Sequence, residues 1–91
     1  MSMTTKRTLH TIVFKEGDAF IASGVELDIF AQGATKEEAE RRLELVLRAE
    51  MDEARASGRD LFDLGPAPDG IQSLFRESST DIIAQDERRV A

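Results

Sequence analysis

The feature that most constrains the fold is one long amphipathic helix, predicted across residues 33–58 (GATKEEAERRLELVLRAEMDEARASG). Thr35 can cap its N-terminus, and Glu38, three residues later, can complete a capping box. Gly58 supplies the left-handed residue that commonly ends a helix. At about 1.5 Å per residue the helix is roughly 33 Å long, and a small sheet has to cover its apolar stripe. The stripe residues, which recur at helical spacing, are Ala39, Leu43, Val46, Leu47 and Ala54, widened by Leu45 and Met51.

Three short segments ahead of the helix predict strands. Residues 8–14 (TLHTIVF) are rich in β-branched and aromatic residues, and both alternating faces are apolar, which indicates a central strand. A turn at residues 15–18 leads back into residues 19–23, and residues 29–32 form a third strand. The sequence therefore predicts an α+β fold in β-β-β-α order, with a three-stranded antiparallel sheet packed on one long helix.

The last third of the chain has weaker signals. Two prolines and a glycine exclude a long regular element from residues 59–69. Asp69 can cap a short helix, because Ile71, Leu74 and Phe75 follow at helical spacing. Residues 80–85 (TDIIAQ) suggest a short fourth strand. Residues 86–91 (DERRVA) are predicted to be a frayed tail.

Length and composition indicate a single globular domain. The chain has 91 residues, of which 41% are hydrophobic and 33% charged. We predict one domain over residues 1–91, with a core at 8–58 and a C-terminal extension at 59–91. The absence of cysteine excludes disulfides, thiolate metal sites and a cysteine nucleophile. No apolar run is long enough for a membrane span and no secretory signal is present, so we expect a cytoplasmic protein.

The net charge of −6 restricts the class of partner. Binding to nucleic acid phosphates needs a concentrated basic surface, which this sequence lacks. An acidic domain is better suited to a basic protein partner.

Four short motifs in the first half of the chain occur in a familiar order. They are residues 16–18 (EGD), 20–22 (FIA), 32–35 (QGAT) and 37–39 (EEA). Together they resemble the HicB-like antitoxin domain over about 35 residues. The family usually has Glu-Leu-Pro-Gly between its second and third strands, whereas this chain has ELDI at residues 26–29, so we expect a different loop shape.

The resemblance implies a partial double-stranded-RNA-binding-like or degenerate ribonuclease-H-like domain. It also implies a homo-oligomer that neutralises a small basic ribonuclease toxin. Relatives often carry a C-terminal module that binds operator DNA. The residues after Gly58 contain no second long periodic helix, so we predict that this chain lacks such a module and does not bind nucleic acid directly.

Catalysis has little support in the sequence. Two-metal hydrolysis needs carboxylates converging from adjacent elements, and the first strand, residues 8–14, contains none. His10 is the only histidine, and no motif provides the orienting acceptor and nucleophile that a general base requires, so it is predicted to be structural. We therefore predict no enzymatic activity, no metal site and no cofactor.

The predicted function is that of an interaction module whose acidic surface masks a small basic toxin. The loop carboxylates predicted to bind the partner are Glu16, Asp18, Glu26 and Asp28. The alternative is an orphan homo-oligomeric scaffold or regulatory domain of the same fold. A small-molecule-binding or hydrolytic enzyme is the third possibility, with little in its favour. A second apolar group has no place on the predicted sheet and is assigned either to the core or to contact with another copy of the chain. It comprises Leu45, Met51, Leu61, Phe62 and Leu64.

Overall fold

The structure is a computed structural model that describes residues 6–90. It contains four strands: β1 (Arg7–Glu16), β2 (Ala19–Gly24), β3 (Phe30–Gly33) and β4 (Ile82–Val90). They form one antiparallel sheet in the order β3-β2-β1-β4, which confirms the α+β prediction and the central position of the first strand. Neither helix of the described residues is long and apolar enough to cross a membrane. In chain order the elements are β1 (Arg7–Glu16), β2 (Ala19–Gly24), β3 (Phe30–Gly33), α1 (Lys36–Ser57), a 3₁₀ turn (Leu61–Leu64), α2 (Asp69–Arg76) and β4 (Ile82–Val90).

The helix α1 begins and ends as its sequence predicts. The Thr35 hydroxyl accepts a hydrogen bond from the Glu38 backbone N–H at 3.0 Å. The Glu38 carboxylate accepts from the backbone N–H of Ala34 at 2.9 Å, one residue earlier than a standard capping box requires. Gly58 adopts φ 67°, and its N–H closes the last turn.

One face of the sheet packs on α1. Leu9 and Val13 of β1 belong to the same buried cluster as Leu43 and Leu47 of α1. These residues alternate along β1, so they point to the same side of the sheet. This cluster is the main core of the domain.

The opposite face of the sheet is partly covered by α2. Ile12, which alternates with Leu9 and Val13, is fully buried, and the His10 ring lies 4.7 Å from the ring of Phe75 in α2. The segment that leads into α2 is held by Ala67, whose backbone N–H donates a hydrogen bond to the Val25 carbonyl at 3.0 Å. The predicted short helix is therefore confirmed, but its N-cap is Pro68, and Asp69 is its first residue and does not cap it.

The prediction that residues 86–91 form a frayed tail is wrong for residues 86–90. Ala91 lies outside the described residues. The fourth strand continues to Val90, which pairs with Arg7 and is 2% exposed. Its charged residues suggested a solvated tail. An edge strand accepts such residues, however, because one of its edges and much of its surface face water. Pairing with β4 also satisfies the backbone groups on the second side of β1.

β3 approaches the start of α1 very closely. A Cβ atom at Gly33 would lie 2.6 Å from the backbone nitrogen of Ala39. A glycine is therefore required where the third strand passes into the helix.

Candidate interaction surfaces

The acidic hairpin is the turn between β1 and β2, with Glu16 and Asp18 at its tip. Both residues are exposed, and no cation among residues 6–90 lies within ion-pair distance of either carboxylate. They line an open depression beside the N-terminus of α1, together with Gln32, Glu38 and Arg42. The hairpin therefore presents unneutralised negative charge to solvent.

The other two predicted loop carboxylates, Glu26 and Asp28, lie beyond the opposite end of β2. That strand has six residues and spans roughly 20 Å at the usual rise per residue. The four carboxylates therefore form two separate groups. Asp28 is exposed, and its backbone N–H donates to the Gly65 carbonyl at 2.8 Å.

Glu26 is engaged within the chain by His10. One carboxylate oxygen accepts the His10 backbone N–H at 2.7 Å, and the other lies 2.6 Å from the ring nitrogen Nδ1. The carboxylate thus holds both the strand and the imidazole in place. Glu26 is less available to a partner than the exposed Asp28.

His10 has a more elaborate environment than its sequence indicates. Besides Glu26, the Glu87 carboxylate lies 3.4 Å from Nε2, and Phe75 packs against the ring. An orienting carboxylate is therefore present, although no hydroxyl of residues 6–90 hydrogen-bonds to the ring. The only sequence signal for this contact is the alternation of Val25, Glu26 and Leu27. Because Val25 and Leu27 are buried, Glu26 points the other way.

The apolar residues assigned to the core or to oligomer contact differ in how exposed they are in the structure. Leu61 is 4% exposed and lies in the core of the chain itself. Met51 and Phe62 are half-buried against that core. Leu45 on the outer face of α1 is 62% exposed, and Leu64 is 43% exposed. Only these last two present substantial apolar surface to another molecule.

A shallow groove of about 70 Å³ lies at the C-terminal end of α1. Asp60 pairs with Arg7 at 3.0 Å, and Glu53 pairs with Arg59 at 3.5 Å. The groove combines an acidic rim with an apolar floor. Its lining residues are Glu50, Glu53, Ala54, Arg59, Asp60, Leu61, Asp63 and Leu64.

The Arg88 guanidinium lies between β4 and α1. It hydrogen-bonds to the Glu44 carboxylate, and Arg48 lies 3.4 Å from the same carboxylate. The hydrogen bond from Arg88 is the main reason why the pKa of Glu44 is below its ordinary value. This contact attaches the edge strand to the helix.

No group of three or more His, Asp or Glu side chains within residues 6–90 is arranged to hold a metal ion. The surface features described above are the acidic hairpin and the groove at the end of α1. Comparison with protein-family models, with curated proteins and with solved structures finds no match for this chain.

Proposed function

We propose that this chain is a non-enzymatic interaction domain that binds and masks a small basic protein, as a HicB-like antitoxin masks its toxin. The motifs at residues 16–39 support the family resemblance, and the β-β-β-α order agrees with the fold that it implies. As a cysteine-free chain of this kind, the protein is expected to act in the cytoplasm.

The proposal rests on which charged side chains form ion pairs within the chain and which do not. Most Lys and Arg residues within 6–90 are ion-paired inside the chain. Many carboxylates are not, so the surface attracts cationic partners over a distance of about one Debye length, 8–10 Å at physiological salt. The carboxylates of the described residues outside ion pairs are Glu16, Asp18, Asp28, Glu50, Asp63, Asp69, Glu77, Asp81 and Asp86.

The acidic hairpin is the first contact site to test. Glu16 and Asp18 lie together on a short turn supported by the sheet, so a partner meets two carboxylates held in a defined position. Masking then combines electrostatic attraction with steric cover of the toxin's basic surface.

The experiment mixes the purified chain with the small basic protein encoded in the adjacent reading frame. We expect a complex on size-exclusion chromatography and a dissociation constant that rises with salt. The double variant Glu16→Lys, Asp18→Lys is expected to bind at least about 10-fold more weakly, since a reversed rim charge repels a cationic partner.

The matched control is Asp63→Lys, Asp69→Lys, which changes the net charge equally at exposed positions beside the loop at the opposite end of β2. We expect it to bind within about 3-fold of the wild type, apart from the change in long-range attraction. Absence of a complex with the adjacent basic protein contradicts the masking proposal. Equal losses in the two variants contradict only the role of the hairpin.

The second candidate function is a homo-oligomeric scaffold or regulatory domain without a toxin partner. It is favoured by large apolar side chains that the single chain leaves exposed, among them Phe30 at 64% and Ile83 at 48%. Light scattering tests it: a mass that is a multiple of 10.1 kDa, with no protein co-purifying, supports this role. A monomer contradicts it.

A further inference from the structure

β4 forms one edge of the sheet. The strand is nine residues long, and β1 is the only strand of residues 6–90 that pairs with it. In an antiparallel sheet, the backbone N–H and C=O of a given residue point to the same neighbouring strand, and successive residues alternate. The His10 carbonyl accepts from Val25 beyond β2, so even-numbered residues of β1 face β2. Odd-numbered residues therefore face β4.

The backbone groups on the outer side of β4 follow from this alternation. Leu9 and Thr11 of β1 lie opposite Arg88 and Asp86, whose backbone groups therefore point inward. The residues with outward-facing backbone groups are Gln85, Glu87 and Arg89. The Glu87 N–H accordingly has a local partner, the Asp86 side chain, at 2.9 Å.

The order of acidic and basic residues along β4 differs from that of an edge strand whose charges prevent pairing. Charged residues commonly block edge strands against pairing, and charges of a single sign repel a second copy. Here two acidic residues, Asp86 and Glu87, are followed by two basic residues, Arg88 and Arg89. When a second copy runs antiparallel to the first, its basic residues lie opposite the acidic residues of the first copy. The edge is therefore complementary to an antiparallel copy of itself.

Symmetry restricts the register of such a pair. A two-fold axis perpendicular to the sheet sets one residue opposite its own copy. Centring on Glu87 places Asp86 opposite Arg88 of the second copy, twice, and sets the outward backbone groups of the two Glu87 residues opposite each other. On docking, each Glu87 N–H exchanges the Asp86 side chain for the Glu87 carbonyl of the second copy. Ala84 then lies opposite Val90, which keeps apolar residues together.

The two Glu87 carboxylates at the centre of this register are like charges. Each has Arg89 of the second copy as a diagonal neighbour, which offsets their repulsion. Arg88 can keep its contact with Glu44, because a guanidinium has five N–H donors.

The neighbouring registers are less favourable. Centring on Asp86 sets the two Asp86 residues against each other and forms no opposite-charge pair, because Arg88 then lies opposite Ala84. Centring on Arg88 forms two Glu87–Arg89 pairs, but it sets two guanidiniums together and places Asp86 opposite Val90. It also shortens the overlap of the described residues from 84–90 to 86–90.

We propose that a second copy of this chain docks on β4, antiparallel and centred on Glu87, which joins two four-stranded sheets into one continuous sheet. Both α1 helices then lie on the same face. The proposal goes beyond the masking function and does not depend on it, because a basic partner plays no part in the contact. It also leaves the acidic hairpin free in both copies.

The first experiment is a charge exchange followed by sedimentation equilibrium on the chain alone. The wild type is expected to reach twice its 10.1 kDa mass, with weaker association at high salt. Asp86→Arg sets like charges opposite each other in a homodimer, and Arg88→Asp does the same with the opposite sign. Each variant is expected to dimerise at least about 10-fold more weakly than the wild type.

An equimolar mixture of the two variants restores both opposite-charge pairs and is expected to recover the dimer mass. The controls are Asp28→Arg and Arg41→Asp, which are exposed positions outside β4, and neither is expected to change association. Circular dichroism establishes that each variant is folded. A monomeric wild type, or folded variants whose mixture stays monomeric, overturns the proposal.

The second experiment measures the register. Because the chain has no cysteine, a single introduced cysteine can form a disulfide only with the same residue of the second copy, and so reports the distance between these two positions. Glu87→Cys places two thiols across the axis at the spacing of a directly opposed pair, about 5.5 Å between Cα atoms, which a disulfide can span. Under mild oxidation we expect a crosslinked dimer. Arg89→Cys separates the two cysteines by about four residues along the strand, roughly 13 Å, and is expected to remain uncrosslinked. The reverse pattern refutes the Glu87-centred register.

Discussion

Gly33 is expected to be one of the least replaceable residues of the domain. A Cβ atom at this position would lie 2.6 Å from the Ala39 backbone nitrogen and 3.0 Å from two atoms of Glu38, whereas ordinary contact begins at 3.4 Å. All three neighbours belong to the first turn of α1. Ala39 is fully buried, so the turn cannot yield by moving a flexible side chain.

The cost follows from this geometry. Overpacking a core typically destabilises a protein by about 1–3 kcal/mol, and a clash against backbone belongs at the upper end, so Gly33→Ala is expected to cost about 2–3 kcal/mol. For a domain of this size that lowers Tm by roughly 10–20 °C. Urea unfolding followed by circular dichroism gives the free energy directly.

Two other glycines provide matched controls. At Gly70 in α2, an added Cβ would have no atom of residues 6–90 within 4 Å, so Gly70→Ala is expected to stabilise the fold by about 0.5 kcal/mol. Gly17 also has free space but φ +62°, so Gly17→Ala is expected to cost about 1 kcal/mol through backbone strain alone. If Gly33→Ala unfolds within about 0.5 kcal/mol of the wild type, the close approach of β3 to α1 is refuted.

Three further predictions concern the core, the loop carboxylate and the edge strand. Leu61→Ala is expected to cost about 2–4 kcal/mol and Leu64→Ala less than about 0.5 in urea unfolding; equal costs contradict the burial of Leu61. Glu26→Ala leaves a half-buried backbone N–H and an imidazole nitrogen without their acceptor, so a loss of about 1–3 kcal/mol is expected, and an unchanged midpoint argues against these bonds. The stability that Glu44 gains from Arg88 is present above the ordinary carboxyl pKa of 4.5 and is lost as pH falls through the lowered folded-state pKa. Glu44→Gln is therefore expected to destabilise the protein at pH 7 and to match the wild type at acidic pH; a pH-independent difference excludes this linkage.

Much of the first half of the fold follows from local chemistry. Thr35, Glu38 and Gly58 mark the ends of α1 through their own hydrogen bonds or backbone conformation, so its limits can be read without knowing what packs on it. The β1–β2 hairpin is similarly local, since alternation and the turn glycine, Gly17, determine it together.

The edge strand and the His10 environment depend on contacts between distant parts of the chain. The charged residues of β4 carry no alternating pattern, and their strand conformation follows from the unpaired side of β1. Glu26 reaches His10 only because the loop after β2 folds back beside β1. The four loop carboxylates predicted to bind a partner lie in two groups because β2 runs between them, and this separation follows from the strand predicted at residues 19–23.

The pairing of β1 with β4 has a consequence for how the chain folds. Arg7 and Val90 are partners in the sheet, so the central strand β1 pairs with a strand from the far end of the described sequence. The two hairpins at β1–β2 and β2–β3 need only short loops, whereas docking of β4 must bring distant segments together at a larger entropic cost. A circular permutant that links Val90 to Arg7 and opens at Gly17 makes β1–β4 a local hairpin and β1–β2 the pair between distant segments. Such a rearranged chain is expected to keep the same sheet but to close the two sides of β1 in the opposite order.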